Sequence, residues 1–365
     1  MSVVESSALP PLYAGWMREL LGASIPGEAP STCHDCAMCA PASGPIGNNF
    51  YYSPTTKCCT YLPRMWNFLS GRVLNDDTPE AARGRATLEA RIDAGLAVTP
   101  LGLEQTPLFA HLYSKARSSF GRVEALRCPH YIDEAGGLCG VWRHRESTCA
   151  TWFCKHERGG VGERFFEALH WLLVVAETAL ARWAVLQLDV GREAEAMLLP
   201  LPLKLDAPMG PGDFDGVADR EHQRRLWGTW AGREREFYRA AARLVGALAW
   251  SDVRAIAGPE LQLHERAVGR QYQALGSATL PNRLQVQEIR LEEQGAEFAR
   301  IGTYSHLDPL SVPVELLGVL RYFDGRETDV ALADIESEER LRIDPALVRR
   351  LTDFGILKEV DQASA

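Results

Sequence analysis

The chain has 365 residues, a net charge of −9, 46% hydrophobic and 24% charged residues. These are the proportions of an ordinary globular protein with room for two or three domains. An acidic chain is a poor match for a polyanion, so nucleic acid is not expected as a partner.

The opening "MSVVESSALPPLYAGW" lacks a charged segment followed by an apolar run, so no secretory signal is expected and the chain reads as cytoplasmic. In that reducing compartment its nine cysteines point to metal before disulfides. An odd number also fits a fully paired framework poorly.

Residues 10–24 predict a short amphipathic helix. A Gly/Pro-rich cysteine segment follows, to about residue 60, where Phe50, Tyr51, Tyr52, Tyr61, Trp66 and Phe68 crowd around Cys58 and Cys59 in sequence. "DTPEAARGRATLEARIDAG" (77–95) predicts a helix with Thr78 as cap, Pro79 at its first position and Gly95 as its stop. A second cysteine segment runs from Cys128 to Cys154. "RGGVGERF" (158–165) has no Walker lysine pattern and no full G-x-G-x-x-G, so it reads as a flexible hinge rather than a phosphate loop.

A long helix is predicted at about 163–188. Its apolar stretch carries His170, Glu177 and Arg182, which favour a buried core helix over a membrane span. Residues 199–217 are rich in Pro and Gly and read as a linker or ordered loop. Helical patterns resume at about 219–256. "RLQVQEIRLEE" and "AEFARIGTY" flank Gln294-Gly295 as a hairpin. Three short helices follow, with Asp344-Pro345 as a start and Gly355 as a stop, and "ILKEV" closes as a strand. The expected fold is mainly α (α+β). An irregular cysteine-rich metal-cluster domain spans 1–198, and a linker and helical segment 199–280. The hairpin and a small winged-helix-like domain span 281–365, the latter from about residue 303.

The cysteines space as C-x2-C-x2-C-x18-CC (Cys33, Cys36, Cys39, Cys58, Cys59) and C-x10-C-x9-C-x4-C (Cys128, Cys139, Cys149, Cys154). Thiolate is the soft ligand that zinc and iron–sulfur clusters take. Two intervening residues let a turn aim both sulfurs at one centre. Two zinc sites of four thiolates would use eight of the nine cysteines. A C-x2-C-x2-C run also serves four-iron clusters, with a further cysteine from elsewhere. An iron–sulfur cluster, [4Fe-4S], is the expected cofactor, with Zn2+ as the alternative. His34, His130, His144 and His156 lie near the cysteines in sequence, and each reads as a surface or satisfied side chain before a ligand. Arg349 and Arg350 read as a solvated helix face. His111, Tyr113, Asp133 and Glu134 have no geometry to fix an acid–base role.

"LRCPHYIDEAGGLCGVWRHRESTCATWFCK" resembles the YkgJ-type cysteine-cluster family of zinc- or iron-chelating proteins. Cys128-Pro129, Cys139 to Trp142, Arg145 and Cys149 to Trp152 match its later half in order, with a glycine added after Cys139. Cys33, Cys36, Cys58 and Cys59 match its first half, with an insertion that contains Cys39. The likeness spans about residues 30–158 and implies metal chelation. A looser likeness to the cysteine-rich part of flagellin lysine N-methylases implies protein modification. "LRYFDGRETDVALADI" with "LVRRLTDFGIL" resembles PqqD-type winged-helix domains, which implies a protein or peptide partner at the C-terminal domain. The expected function is thus an iron–sulfur or zinc cluster-binding protein in redox or electron transfer. The alternatives are a peptide- or protein-modifying enzyme or its subunit, and a metal- or redox-sensing regulator.

Overall fold

A computed structural model of the chain describes residues 9–28, 36–39, 51–134, 136–199, 216–277 and 279–360. Cys33, His34, Phe50 and all but the ends of the 199–217 stretch lie outside the described residues. The described chain is mainly helical, with small sheets. It divides into two units: 1–27, 31–152 and 169–266 form the first, and 28–30, 153–168 and 267–365 the second.

In the first unit, α1 (Pro11–Leu21) starts at a proline and ends at left-handed Gly22, φ 71°. β1 (Met65–Trp66) runs into α2 (Asn67–Leu74), and α3 (Ala82–Ala94) stops at Gly95, φ 69°. Thr78 does not cap that helix. Its hydroxyl donates to Asp76 at 2.6 Å, and a 3-10 turn at Pro79–Ala81 leads in. β2 (Val98–Thr99) and β3 (Gly102–Leu103) complete an antiparallel sheet of order β1-β3-β2. After α4 (Pro107–Lys115) come the paired strands β4 (Tyr131–Ile132) and β5 (Leu138–Cys139), then the short α5 (Ser147–Thr151).

The long helix α6 spans Gly159–Gln187. Leu169, Leu172, Leu173, Ala176, Leu180, Ala181, Ala184 and Val185 recur every three or four residues and are fully buried. Each such leucine contributes about 1.5–3 kcal/mol. By length and composition α6 could cross a membrane, but half of its most apolar 18-residue window is buried within the protein. Glu177 is buried and hydrogen-bonded, and Arg182 donates to the Leu199 carbonyl at 2.6 Å. These are the features of a core helix. α7 (Arg192–Leu198), α8 (Arg220–Trp227), α9 (Glu234–Gly246) and α10 (Trp250–Ala257) follow. α9 lies on α2 at a distance only glycine allows: a Cβ on Gly71 would sit 1.7 Å from the Tyr238 carbonyl oxygen. α11 (Pro259–Gly276) lies in the expected helical segment 199–280 but beyond the helical patterns read at about 219–256.

The second unit holds two three-stranded antiparallel sheets. β6 (Arg283–Val286) lies between β10 (Asp324–Glu327) and β11 (Leu357–Glu359), while β7 (Leu291–Gln294), β8 (Phe298–Ile301) and β9 (Leu310–Pro313) form the other. The β7–β8 hairpin turns at Gly295 as expected, but Arg283–Val286 leaves it for a different sheet. α12 (Val314–Val319), α13 (Thr328–Glu338) and α14 (Pro345–Asp353) pack on a core that includes Leu284, Ile301, Phe323, Ile335, Val348 and Leu351. The Gly-rich start of α6 is helical, and close packing accounts for its glycines better than a hinge. A Cβ on Gly159 would lie 2.7 Å from the Asp353 carbonyl oxygen, and one on Gly162 3.0 Å from the His156 Cβ.

Candidate metal centre

Among the described residues the first unit holds seven cysteines, brought from separate segments of the chain. Cys36 and Cys39 close a turn, with the Cys39 amide donating to the Cys36 carbonyl at 3.0 Å, and Cys39 bridges Tyr52 in parallel. Cys58 and Cys59 follow Lys57, whose backbone is left-handed at φ 50°. The Cys128 amide donates to the Cys59 carbonyl at 2.7 Å, which ties the two cysteine segments together. Cys139 ends β5 opposite Tyr131, and Cys149 lies within α5.

The thiols act on one another. Burial, then Cys36, pushes Cys39 up to about 11, and Cys58 adds to this. A hydrogen bond with Cys59 and then burial raise Cys58, with the charge of Cys36 contributing. Burial pushes Cys128 up to about 12, with contributions from Cys139 and Cys58. Cys149 is raised by burial and Glu146, then by Cys139, Cys128 and Cys58. Cys58 acts on members of both segments.

Among the described residues no three Cys, His, Asp or Glu side chains form a ready ligand set. Cys33 lies outside the described residues, and Cys154 belongs to the second unit. The chemistry of the donors nevertheless fits a soft cation. These are thiols whose protons are held on by burial and mutual repulsion, and a bound cation relieves both.

The local fold is held by polar groups around the cysteines. Buried Arg145 donates to the carbonyls of Cys149 (3.0 Å) and Trp142 (2.6 Å) and stacks 3.7 Å over the Trp142 ring. Glu146 accepts from the Thr148 and Cys149 amides, both at 2.8 Å, and so caps α5. Glu177 of α6 accepts from the Ser147 amide (2.8 Å) and hydroxyl (2.6 Å), the Trp66 indole (3.1 Å) and the Tyr13 hydroxyl. Burial and the Glu146 carboxylate push Glu177 up to about 8 against these donors, which favour its ionised form. Buried Lys57 donates to the carbonyls of Gly136 and, at 3.1 Å, Gly137. Its charge lowers the Cys39 thiol, opposing the upward pull of burial there.

The glycine after Cys139 has a physical reason. A Cβ on Gly84 of α3 would fall 1.8 Å from the Gly140 carbonyl oxygen, so helix and cysteine turn meet backbone to backbone.

Three histidines are engaged elsewhere. His130 faces Thr87 (2.8 Å) and Arg91 (3.2 Å), and burial, then Arg91, drives it down to about 3. His144 Nε2 donates to Asp76 at 2.8 Å. His156, in the second unit, lies 3.3 Å from the Tyr304 hydroxyl, and burial lowers it to about 4. Of the aromatic residues, Tyr52 packs edge-on to Phe120, Tyr61 to Tyr113, and Phe68 is in the core. Asp133 and Glu134 form surface ion pairs with Arg127 and Arg83. Arg349 donates to the Ser277 carbonyl, and Arg350 lies over Phe354.

Lys57, Glu146 and Glu177 are not singled out as site residues by the sequence. The one available signal is Glu177, a lone acid in an apolar helical run. No family model matches the chain, and no curated protein and no solved structure matches it.

Proposed function

We propose that the chain is a cytoplasmic iron–sulfur cluster protein of the YkgJ-like kind, which exchanges electrons with a protein or peptide partner met by its C-terminal domain. The supporting observation is that cysteines of the two segments act on one another's protonation, with Cys58 acting on each segment. Cys33, Cys36, Cys39, Cys58, Cys59, Cys128, Cys139, Cys149 and Cys154 are the ligand candidates. A cluster bound there would supply one-electron chemistry. The chain's own part is to shield the thiols with Tyr52, Tyr61 and Trp142, fix the α5 turn through Arg145 and Glu146, and supply positive charge through Lys57.

For the partner, the order of strand, helix, strand, two helices and closing strand over 310–359, with the β7–β8 hairpin as wing, supports a PqqD-like winged-helix reading. β7 is an edge strand exposed along its length, and Leu291 (47%) and Phe298 (57%) offer apolar side chains on that hairpin. Such an edge suits an added peptide strand. The test is spectroscopic. Protein purified without oxygen is expected to show broad visible absorption that bleaches with dithionite and returns on reoxidation. A spectrum that reduction leaves unchanged would rule out the electron-transfer reading.

A further inference from the structure

We infer that a pocket of the first unit walled by Arg72, Arg143, Arg243 and His144 binds a phosphoryl group. The pocket has a volume of about 560 Å3. It lies where the last turns of α2 and α9 meet the 3-10 turn Trp142–His144. Nothing in the cysteine chemistry uses it.

Its lining carries three guanidinium groups and the carboxylates of Asp76 and Asp77. Asp77 is 96% exposed and lies 3.9 Å from Arg85, which is not among the lining residues. Asp76 is already engaged: one oxygen accepts from the Thr78 amide (3.2 Å) and hydroxyl (2.6 Å), the other from His144 Nε2 (2.8 Å), with Arg143 3.6 Å away. The cationic groups therefore exceed the acceptors free to meet them. A single arginine at a helix end would satisfy the helix dipole. Arg143 is on neither helix and adds a third positive charge.

Two buried polar atoms lack any partner here. Arg72 Nε is buried and makes no hydrogen bond. His144 is only 8% exposed and fixed through Nε2, which leaves its Nδ1 without a partner. A buried unpaired donor or acceptor costs about 1–3 kcal/mol. Burial disfavours the Arg72 charge; Tyr13 and Asp76 favour it and neighbouring Arg143 opposes it, and an incoming anion would relieve the net cost. Guanidinium groups on several sides match a tetrahedral oxyanion better than a planar carboxylate, which one arginine can hold bidentately.

The test is titration of the full chain with inorganic phosphate, phosphoserine and AMP at constant ionic strength, read by calorimetry. Saturable one-to-one binding is expected for at least one probe, and the preferred probe distinguishes free phosphate from a phosphoryl ester. Arg143 and Arg243 are exposed, so the double variant Arg143→Gln, Arg243→Gln should keep the fold by circular dichroism and lose about tenfold or more in affinity. Arg72→Gln should do the same. The inference is overturned if no probe saturates, if the double variant binds as tightly as the parent, or if acetate competes on equal terms with phosphate.

Discussion

Ser147 gives both its amide and its hydroxyl to Glu177, at 2.8 and 2.6 Å. One buried carboxylate of the core helix thereby holds the start of α5, two residues before Cys149. It also accepts from Tyr13 and Trp66. Replacing Glu177 with alanine would strand four donors, so Glu177→Ala is expected to cost about 3 kcal/mol or more. Glu177→Gln keeps one acceptor oxygen and should cost less. Urea unfolding of the two variants checks the order. Metal content should fall in step with it, because the same bonds set the α5 turn.

Glycine-to-alanine exchanges separate close packing from helix propensity. Inside a helix the change normally stabilises by about 0.5–1 kcal/mol. Gly269, in α11, has nothing within 4 Å of the place an added methyl would take and should follow that rule. Gly71→Ala and Gly84→Ala should reverse the sign, by about 2 kcal/mol or more, since each methyl would strike a carbonyl oxygen at 1.7 or 1.8 Å. Thermal unfolding of the three variants reads this directly. Gly84→Ala should also lower metal binding, because it presses on the turn after Cys139.

His130 is buried beside Arg91, whose guanidinium can only donate to its Nε2, so the folded ring stays neutral. Its pKa of about 3 lies below the ordinary value of 6.5. As pH falls below 6.5 the unfolded chain takes up a proton that the folded chain refuses, and stability declines down to about pH 3. Between pH 6.5 and 5 this histidine should account for about 2 kcal/mol. Urea unfolding at pH 7 and 5 should show a loss that His130→Gln reduces by that amount. An equal loss in parent and variant would contradict it.

The cysteines should not be equivalent. Cys58 acts on Cys39, Cys128 and Cys149. Cys58→Ser should therefore remove most bound metal, as judged by elemental analysis of folded variant protein. Cys39→Ser should also lower it, because Cys39 lies with Cys36 and Cys58.

Where ends of elements carry local signals, the sequence is informative. Pro11 and Gly22 bound α1, Gly95 ends α3, and Asp344 accepts from the Ala346 amide to start α14. α11 is not legible because its buried hydrophobic positions, Leu261, Val268 and Leu275, come only once in seven residues. The strand at 283–286 reads as part of the hairpin because alternation alone does not say which sheet a strand joins. The glycines at 159–162 look flexible in sequence because a packing neighbour such as Asp353, 194 residues after Gly159, cannot be seen locally. Cysteine spacing places Cys36 and Cys39 in one local turn, where the Cys39 amide donates to the Cys36 carbonyl, but it does not say which distant cysteines they meet. Lys57 and Glu177 depend on tertiary burial, and spacing carries no record of that.

The most direct measurement is the visible spectrum of the anaerobically purified protein together with iron, acid-labile sulfide and zinc per chain. A brown protein with iron and sulfide in similar amounts is expected. A colourless protein that holds zinc, or no metal, would contradict the iron–sulfur assignment and the redox role built on it.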